Sequence, residues 1–233
     1  MSRSYFVNDL YWAIQGEGVL AGTPMVLLRL HGCPVACRFC DTKETWAFRE
    51  ADRRETLAEA LGQNGHWASV PLEDIVAAVK QEAIGGTSWV LITGGEPATQ
   101  QLRPLVAALH GAGFAVALET SGTREGHLQP KGEPEDDGGA DHVTVSPKLG
   151  NPGRQPILRR VVAAADELKF ILSEASDLER IDAFLWSMNL DPAPRISLQP
   201  ESCSPQATAL ALAECRRRGW HLSLQSHKFI GAR

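Results

Sequence analysis

The residues of this chain best placed to do chemistry are three thiols within eight residues, Cys33-Pro-Val-Ala-Cys37-Arg-Phe-Cys40. The chain has five cysteines, an odd number, and Cys203 and Cys215 lie far downstream, so a disulfide framework is a poor reading of them. At i, i+4 and i+7 the three could line one stripe of a buried helix, since a free thiol packs like a small hydrophobe. Gly32 and Pro34 argue instead for a strand running out into a loop. Zinc would want a fourth Cys or His, and His31 is the only candidate nearby. Three thiolates suit an iron–sulfur cluster that keeps one iron free of protein ligands.

Other residues stand out for their surroundings. In Val26-Leu27-Leu28-Arg29-Leu30-His31, strict alternation puts Leu27, Arg29 and His31 on one face. A charge in so apolar a strand needs an anionic partner. That partner is either an internal Glu or a ligand carboxylate gripped by the planar guanidinium. Gln15 and Glu17 sit in the Gly-flanked turn Ile14-Gln15-Gly16-Glu17-Gly18, which either closes a hairpin or offers paired donors and acceptors to a ligand. In Gly94-Gly95-Glu96-Pro97, glycines at a strand end let a ligand approach the backbone, and Glu96 can accept a bond from an ammonium.

The elements that must position these residues alternate. Extended apolar stretches at 25–30, 89–93, 114–119, 142–146, 167–172, 195–198 and 221–224 are separated by helical patterns at 71–83, 102–109, 177–185 and 207–215. Such alternation predicts an α/β domain with a mostly parallel sheet. Polar and small residues gather after each strand: Thr93-Gly94-Gly95-Glu96, Glu119-Thr-Ser121-Gly, Ser146-Pro147-Lys148, Gln199-Pro200-Glu201-Ser202 and Gln225-Ser-His227-Lys228. In (β/α) barrels these ends converge on one face. The expectation is one domain over 1–233, a partial, open-sided barrel of about six parallel strands. Residues 124–141, rich in Gly, Pro, Glu and Asp, read as a surface loop; 47–65 is polar and carries no clear pattern.

Composition narrows the classes. With 43% hydrophobic and 22% charged residues the chain can bury a core. Its longest apolar run is five residues, against the roughly 18 needed to cross a bilayer, so no membrane role is expected. The first fifteen residues do not read as a signal peptide, which points to the cytoplasm. A net charge of −5 disfavours nucleic-acid binding, and Arg216-Arg217-Arg218 reads as a solvated helix end.

The Cys-x3-Cys-x2-Cys spacing, with Phe39 before the last Cys, resembles the radical S-adenosylmethionine enzymes. That resemblance implies a [4Fe-4S] cluster on Cys33, Cys37 and Cys40 whose open iron chelates S-adenosylmethionine, and one-electron cleavage to methionine and a 5′-deoxyadenosyl radical. The Gly94-Gly95-Glu96-Pro97 run is similar to the stretch that contacts the methionine amino group in that superfamily. Taken together with Ile14-Gln-Gly-Glu-Gly18, Arg29, Cys40-Asp41-Thr42, Glu119-Thr-Ser-Gly, Ser146-Pro-Lys148, Leu198-Gln-Pro and Gln225-Ser-His-Lys228, the chain resembles the family of 7-carboxy-7-deazaguanine synthases over nearly its whole length. The resemblance implies ring contraction of 6-carboxy-5,6,7,8-tetrahydropterin with loss of ammonia, for 7-deazapurine (queuosine-type) nucleosides. It further implies Mg²⁺ held by Thr42, a homodimer, and a one-electron donor such as flavodoxin or ferredoxin. On the same ground Ile14, Gln15, Gly16, Glu17, Arg29, Thr93, His227 and Arg233 fall to the pterin. Phe39, Cys40, Asp41, Gly94, Gly95, Glu96, Glu119, Ser121, Ser146, Pro147, Lys148, Gln199, Pro200, Glu201 and Ser202 fall to S-adenosylmethionine. Some members of that family end in Pro shortly after the His-Lys pair, with the terminal carboxylate near the substrate; this chain ends Gly231-Ala232-Arg233.

Two rivals stay open at this point. A glycyl-radical activase would share the thiols and the GGEP run but would not need the Gln15-Gly-Glu17 turn or Arg29. A non-enzymatic metal module would not cleave S-adenosylmethionine.

Overall fold

The computed structural model describes residues 3–63, 65–126 and 139–231. Its strands are β1 (Ser4–Ile14), β2 (Pro24–Leu30), β3 (Arg53–Arg54), β4 (Trp67–Pro71), β5 (Trp89–Gly94), β6 (Ala115–Thr120), β7 (His142–Val145), β8 (Glu167–Leu172), β9 (Arg195–Pro200) and β10 (His221–Leu222). The helices are α1 (Leu57–Ala60), α2 (Leu72–Glu82), α3 (Arg103–Gly111), α4 (Arg159–Ala163), α5 (Ala175–Met188), α6 (Pro205–Arg218) and α7 (Ser226–Ile230). Among the described residues no helix is long and apolar enough to cross a membrane.

All ten strands form one open sheet in the order β10-β9-β8-β7-β6-β5-β2-β1-β4-β3. From β2 through β5 to β10 every neighbouring pair is parallel, which makes seven parallel strands rather than about six. The expected first strand is in fact the second. It pairs with the unforeseen β1, which runs antiparallel to it and to β4. A bulge between Val7 and Asp9 explains why β1 escaped notice: it interrupts the alternation by which a half-buried strand is recognised. In the unassigned stretch 47–65, Thr56 and Glu59 form a capping box that starts α1.

The two faces of the barrel strands differ in chemistry. Outward residues Val26, Leu28, Leu30, Val90, Ile92, Val116 and Leu118 pack with Ile75 and Val79 of α2 and Leu105, Val106 and Leu109 of α3. Val143, Val145, Leu168, Phe170, Leu172 and Leu198 pack in the same way with Val161 and Val162 of α4, Ile181 and Phe184 of α5, and Ala211 and Cys215 of α6. Cys215 is therefore core, as its helical position suggested. Inward, Met25, Leu91 and Ala117 make a small apolar plug. Beyond the plug the interior turns polar. The 124–141 segment is tied down where it leaves the barrel: Leu102 N–H donates to the Gly126 carbonyl, and Asp141 accepts from Val116 N–H. Residues 127–138 lie outside the described residues.

Candidate functional site

The C-terminal ends of the parallel strands enclose a cavity of about 310 Å³. Its wall includes Ile14, Gln15, Gly16, Glu17, Arg29, Cys33, Cys37, Phe39, Cys40, Asp41, Thr42, Thr93, Gly94, Gly95, Glu96, Glu119, Ser121, Ser146, Lys148, Gln199, Pro200, Glu201, Ser202 and His227. Every residue that the resemblance assigns to the cluster, Mg²⁺, the pterin or S-adenosylmethionine is here except two. Pro147 lines a neighbouring cavity, behind Phe39 and Lys148, and Arg233 lies outside the described residues.

The thiol loop leaves β2 and is held from three sides. Cys33 N–H donates to the Trp46 carbonyl at 3.0 Å, Gly153 N–H to Val35 at 3.1 Å, and Glu96 N–H to Gly32 at 2.9 Å. A Cβ on Gly94 would lie 2.2 Å from the Leu30 carbonyl oxygen, and one on Gly95 would lie 2.4 Å from that of Gly32. The two glycines thus serve the close passage of β2 and its loop, a reason additional to the approach of a ligand. All five cysteines are free thiols. Burial raises Cys33 to about 11 and also raises Cys37, so ligation must displace protons. Among the described residues no three His, Cys, Asp or Glu side chains converge as a single ion requires. Thiolates that each hold a different iron of a cluster need not converge, so the donor set fits a cluster and not zinc.

Glu96 is 1% exposed. Its carboxylate accepts from Thr120 Oγ1 at 2.6 Å, Ala98 N at 3.1 Å, Ser121 N at 2.8 Å and Ser121 Oγ. Those four donors use its acceptor capacity, so Glu96 braces the loop against the end of β6 and is not open to an ammonium. Lys148 donates to Ser146 Oγ at 2.7 Å and sits 5.6 Å from the centre of the exposed Phe39 ring; burial lowers its pKa.

Across the cavity lies a second cluster. Lys169 of β8, its side chain 4% exposed, donates to Glu17 Oε2 at 2.5 Å and to Glu119 Oε1 at 3.0 Å. Gln225 donates to Glu17 Oε1 at 2.8 Å, while Gln15 and Thr93 donate to Glu119 at 3.3 and 3.4 Å. Burial pushes the Glu17 pKa up, but Lys169 and Gln225 outweigh it and hold Glu17 at about 2. Burial also opposes the charge on Lys169, and Glu119 and Glu17 together raise its pKa well above the usual lysine value. The start of α7 clasps the 14–18 turn: Ser226 N–H donates to the Gly16 carbonyl, and a Cβ on Gly16 would collide with His227. Lys228 reaches Asp41 at 3.4 Å, which joins this cluster to the thiol loop.

Arg29 projects into the cavity, and among the described residues no carboxylate pairs with it. His31 does not share its face. Past the end of β2 it turns into an aromatic cluster, stacked on Trp67 and edge-on to Phe48, 1% exposed, with Nε2 3.1 Å from the Ala47 carbonyl oxygen. Sequence reasoning missed Lys169, although Glu167, Lys169 and Ile171 alternate in an apolar strand as Leu27 and Arg29 do. It also missed Trp46, whose buried indole N–H has no partner in the cavity wall; nothing in the sequence singled it out.

Residues 27–178 match the model of the Radical SAM superfamily. The chain is 36% identical to the 7-carboxy-7-deazaguanine synthase of Escherichia coli (strain K12), over 97% of this chain and 98% of that protein. It is 33% identical to the protein of the same name from Pyrobaculum aerophilum, over 94% and 87% of the two chains. A crystal structure of QueE from Escherichia coli superposes with a TM-score of 0.83 at 34% identity, covering 95% of this chain and 93% of that one.

Proposed function

The chain belongs to the radical S-adenosylmethionine superfamily and, within it, to the 7-carboxy-7-deazaguanine synthases, and we propose that the cavity performs their reaction with the residues named here. That reaction is the ring contraction of 6-carboxy-5,6,7,8-tetrahydropterin to 7-carboxy-7-deazaguanine with release of ammonia. Membership excludes the glycyl-radical activase and the non-enzymatic metal module.

The observation that carries the assignment of sides is Arg29, a guanidinium facing the cavity with no carboxylate partner among the described residues. A carboxylate on the substrate supplies that partner, and the planar fork fixes its orientation. Cys33, Cys37 and Cys40 hold the [4Fe-4S] cluster. When bound, it supplies the electron that cleaves S-adenosylmethionine to a 5′-deoxyadenosyl radical. Phe39, Cys40, Asp41, Gly94, Gly95, Ser121, Ser146, Lys148 and the 199–202 segment take the S-adenosylmethionine side. Glu119 moves to the substrate set, because its carboxylate bonds Gln15, Thr93 and Lys169. Gln15, Glu17 and His227 face the pterin ring, and Thr42 is the hydroxyl ligand of Mg²⁺. One domain, a homodimer, a flavodoxin- or ferredoxin-type donor and a cytoplasmic setting complete the reading; the unpaired cysteines support the last.

Reconstituted protein, assayed anaerobically with the carboxypterin, S-adenosylmethionine and a reductant, should yield the deazapurine by absorbance and mass. Cleavage of S-adenosylmethionine with no deazapurine would remove the reading.

A further inference from the structure

Three carboxylates line the cavity, Glu96 buried and Glu17 and Glu119 half-buried, and they differ in how much acceptor capacity the protein itself uses. A carboxylate offers about four lone-pair sites. Glu96 fills four of them with protein donors. Glu119 takes three, from Lys169, Gln15 and Thr93. Glu17 takes two, from Lys169 and Gln225. Glu17 and Glu119 therefore retain acceptor sites, and one ammonium joins them. Two half-buried carboxylates on a common partner repel each other, and without a cation one of them is driven toward taking up a proton.

We infer that Lys169 is a positioning residue that keeps Glu17 and Glu119 ionised together, so that both remain acceptors for the N–H-rich edge of the bicyclic substrate. The inference rests on the substrate reading above. Among the described residues the Lys169 ammonium touches only these two carboxylates, and burial keeps water from replacing it. Other charges face the cluster from each neighbouring element. They are Arg29 on β2, Asp41 after the thiol loop, Lys148 after β7, Glu167 two residues earlier on β8, and His227 and Lys228 on α7. Of these, His227 is the imidazole, and burial lowers the pKa of Lys148, so both are controlled for in the test.

The test is carboxypterin affinity, measured by equilibrium dialysis on reconstituted protein with S-adenosylmethionine from about pH 6 to 9. Iron content and slow S-adenosylmethionine cleavage are followed in parallel. Wild type should bind with no pH step apart from any that H227Q or K148R removes. K169M should bind roughly 10-fold or more weakly near neutrality and recover as pH rises, because its two carboxylates now share a proton. K169R should stay within about three-fold of wild type. Adding E119Q to K169M should cost less than E119Q costs in wild type, since the repulsion is already relieved. An equal loss for K169M at every pH, with E119Q additive, would make Lys169 mere scaffold and overturn the inference. A pH step in wild type that survives both H227Q and K148R would also overturn it, and that arm needs no variant at position 169. If wild type binds no carboxypterin while iron content and S-adenosylmethionine cleavage are intact, the substrate reading fails instead.

Discussion

The thiol loop and the Lys169 cluster face each other across one cavity and are built in opposite ways. Cys33, Cys37 and Cys40 lie within eight residues of each other, and the fold merely braces their loop by backbone contacts from Trp46, Gly153 and Glu96. Gln15, Glu17, Thr93, Glu119, Lys169 and Gln225 come from five separate segments and touch only because the barrel brings strand ends together. A local site carries its chemistry in its spacing. A dispersed site carries it in strand alternation, one residue at a time, and is recognised only once the strands are aligned.

Damage to the local half should have the largest effect. Cys37→Ala should abolish bound iron and turnover, while carboxypterin binding to the opposite half survives. Cys203→Ala and Cys215→Ala should leave iron content unchanged. Equal iron loss from Cys203→Ala and Cys37→Ala would break the three-ligand assignment.

Arg29→Lys comes next. It keeps the charge and loses the fork, so turnover should fall on the order of 100-fold through misplacement of the reacting carbon. Iron content and slow cleavage of S-adenosylmethionine should persist. With a substrate analogue lacking the carboxylate, wild type and Arg29→Ala should bind about equally; a matching loss for both ligands would make Arg29 structural.

The same contrast explains what the sequence could reveal. The parallel strands, the principal helices and the thiol loop were legible because each repeats a period or a spacing within a few residues. β1 was not, because its bulge breaks the period. The face of His31 was misjudged because alternation was extended past the end of β2 at Leu30. Glu96 and the two glycines also serve the passage of one strand end beside another, which no local pattern reveals. Lys169 was within reach of the argument applied to Arg29, but its two carboxylate partners lie on other elements.

Gly95→Ala sharpens the comparison at a smaller scale. The added methyl would press on the Gly32 carbonyl, shift the thiol loop and cost about 1–3 kcal/mol of stability. Iron occupancy should drop while carboxypterin binding to the apoprotein holds. The last effect is confined to acid. Glu17 and Glu167 are held at about 2 in the folded protein against 4.5 ordinarily. Their folded values lie below the unfolded ones, so their stabilisation is present above pH 4.5 and is lost as pH falls toward 2. The contribution of these two groups to denaturant melts should therefore be flat near neutrality and decline below about pH 4.5. Glu17→Gln should flatten that decline by roughly 2–3 kcal/mol at most.

On the proposed assignment the two halves hold their ligands against each other, with the carboxylate-bearing carbon of the pterin beside the cofactor cleaved on the thiol side. Carboxypterin deuterated at carbon six, turned over anaerobically with S-adenosylmethionine, tests this directly. Deuterium is expected at the 5′ carbon of the adenosyl group, recovered as 5′-deoxyadenosine or as S-adenosylmethionine re-formed from it and methionine. Deazapurine formed at full rate with no deuterium in either would contradict the assignment.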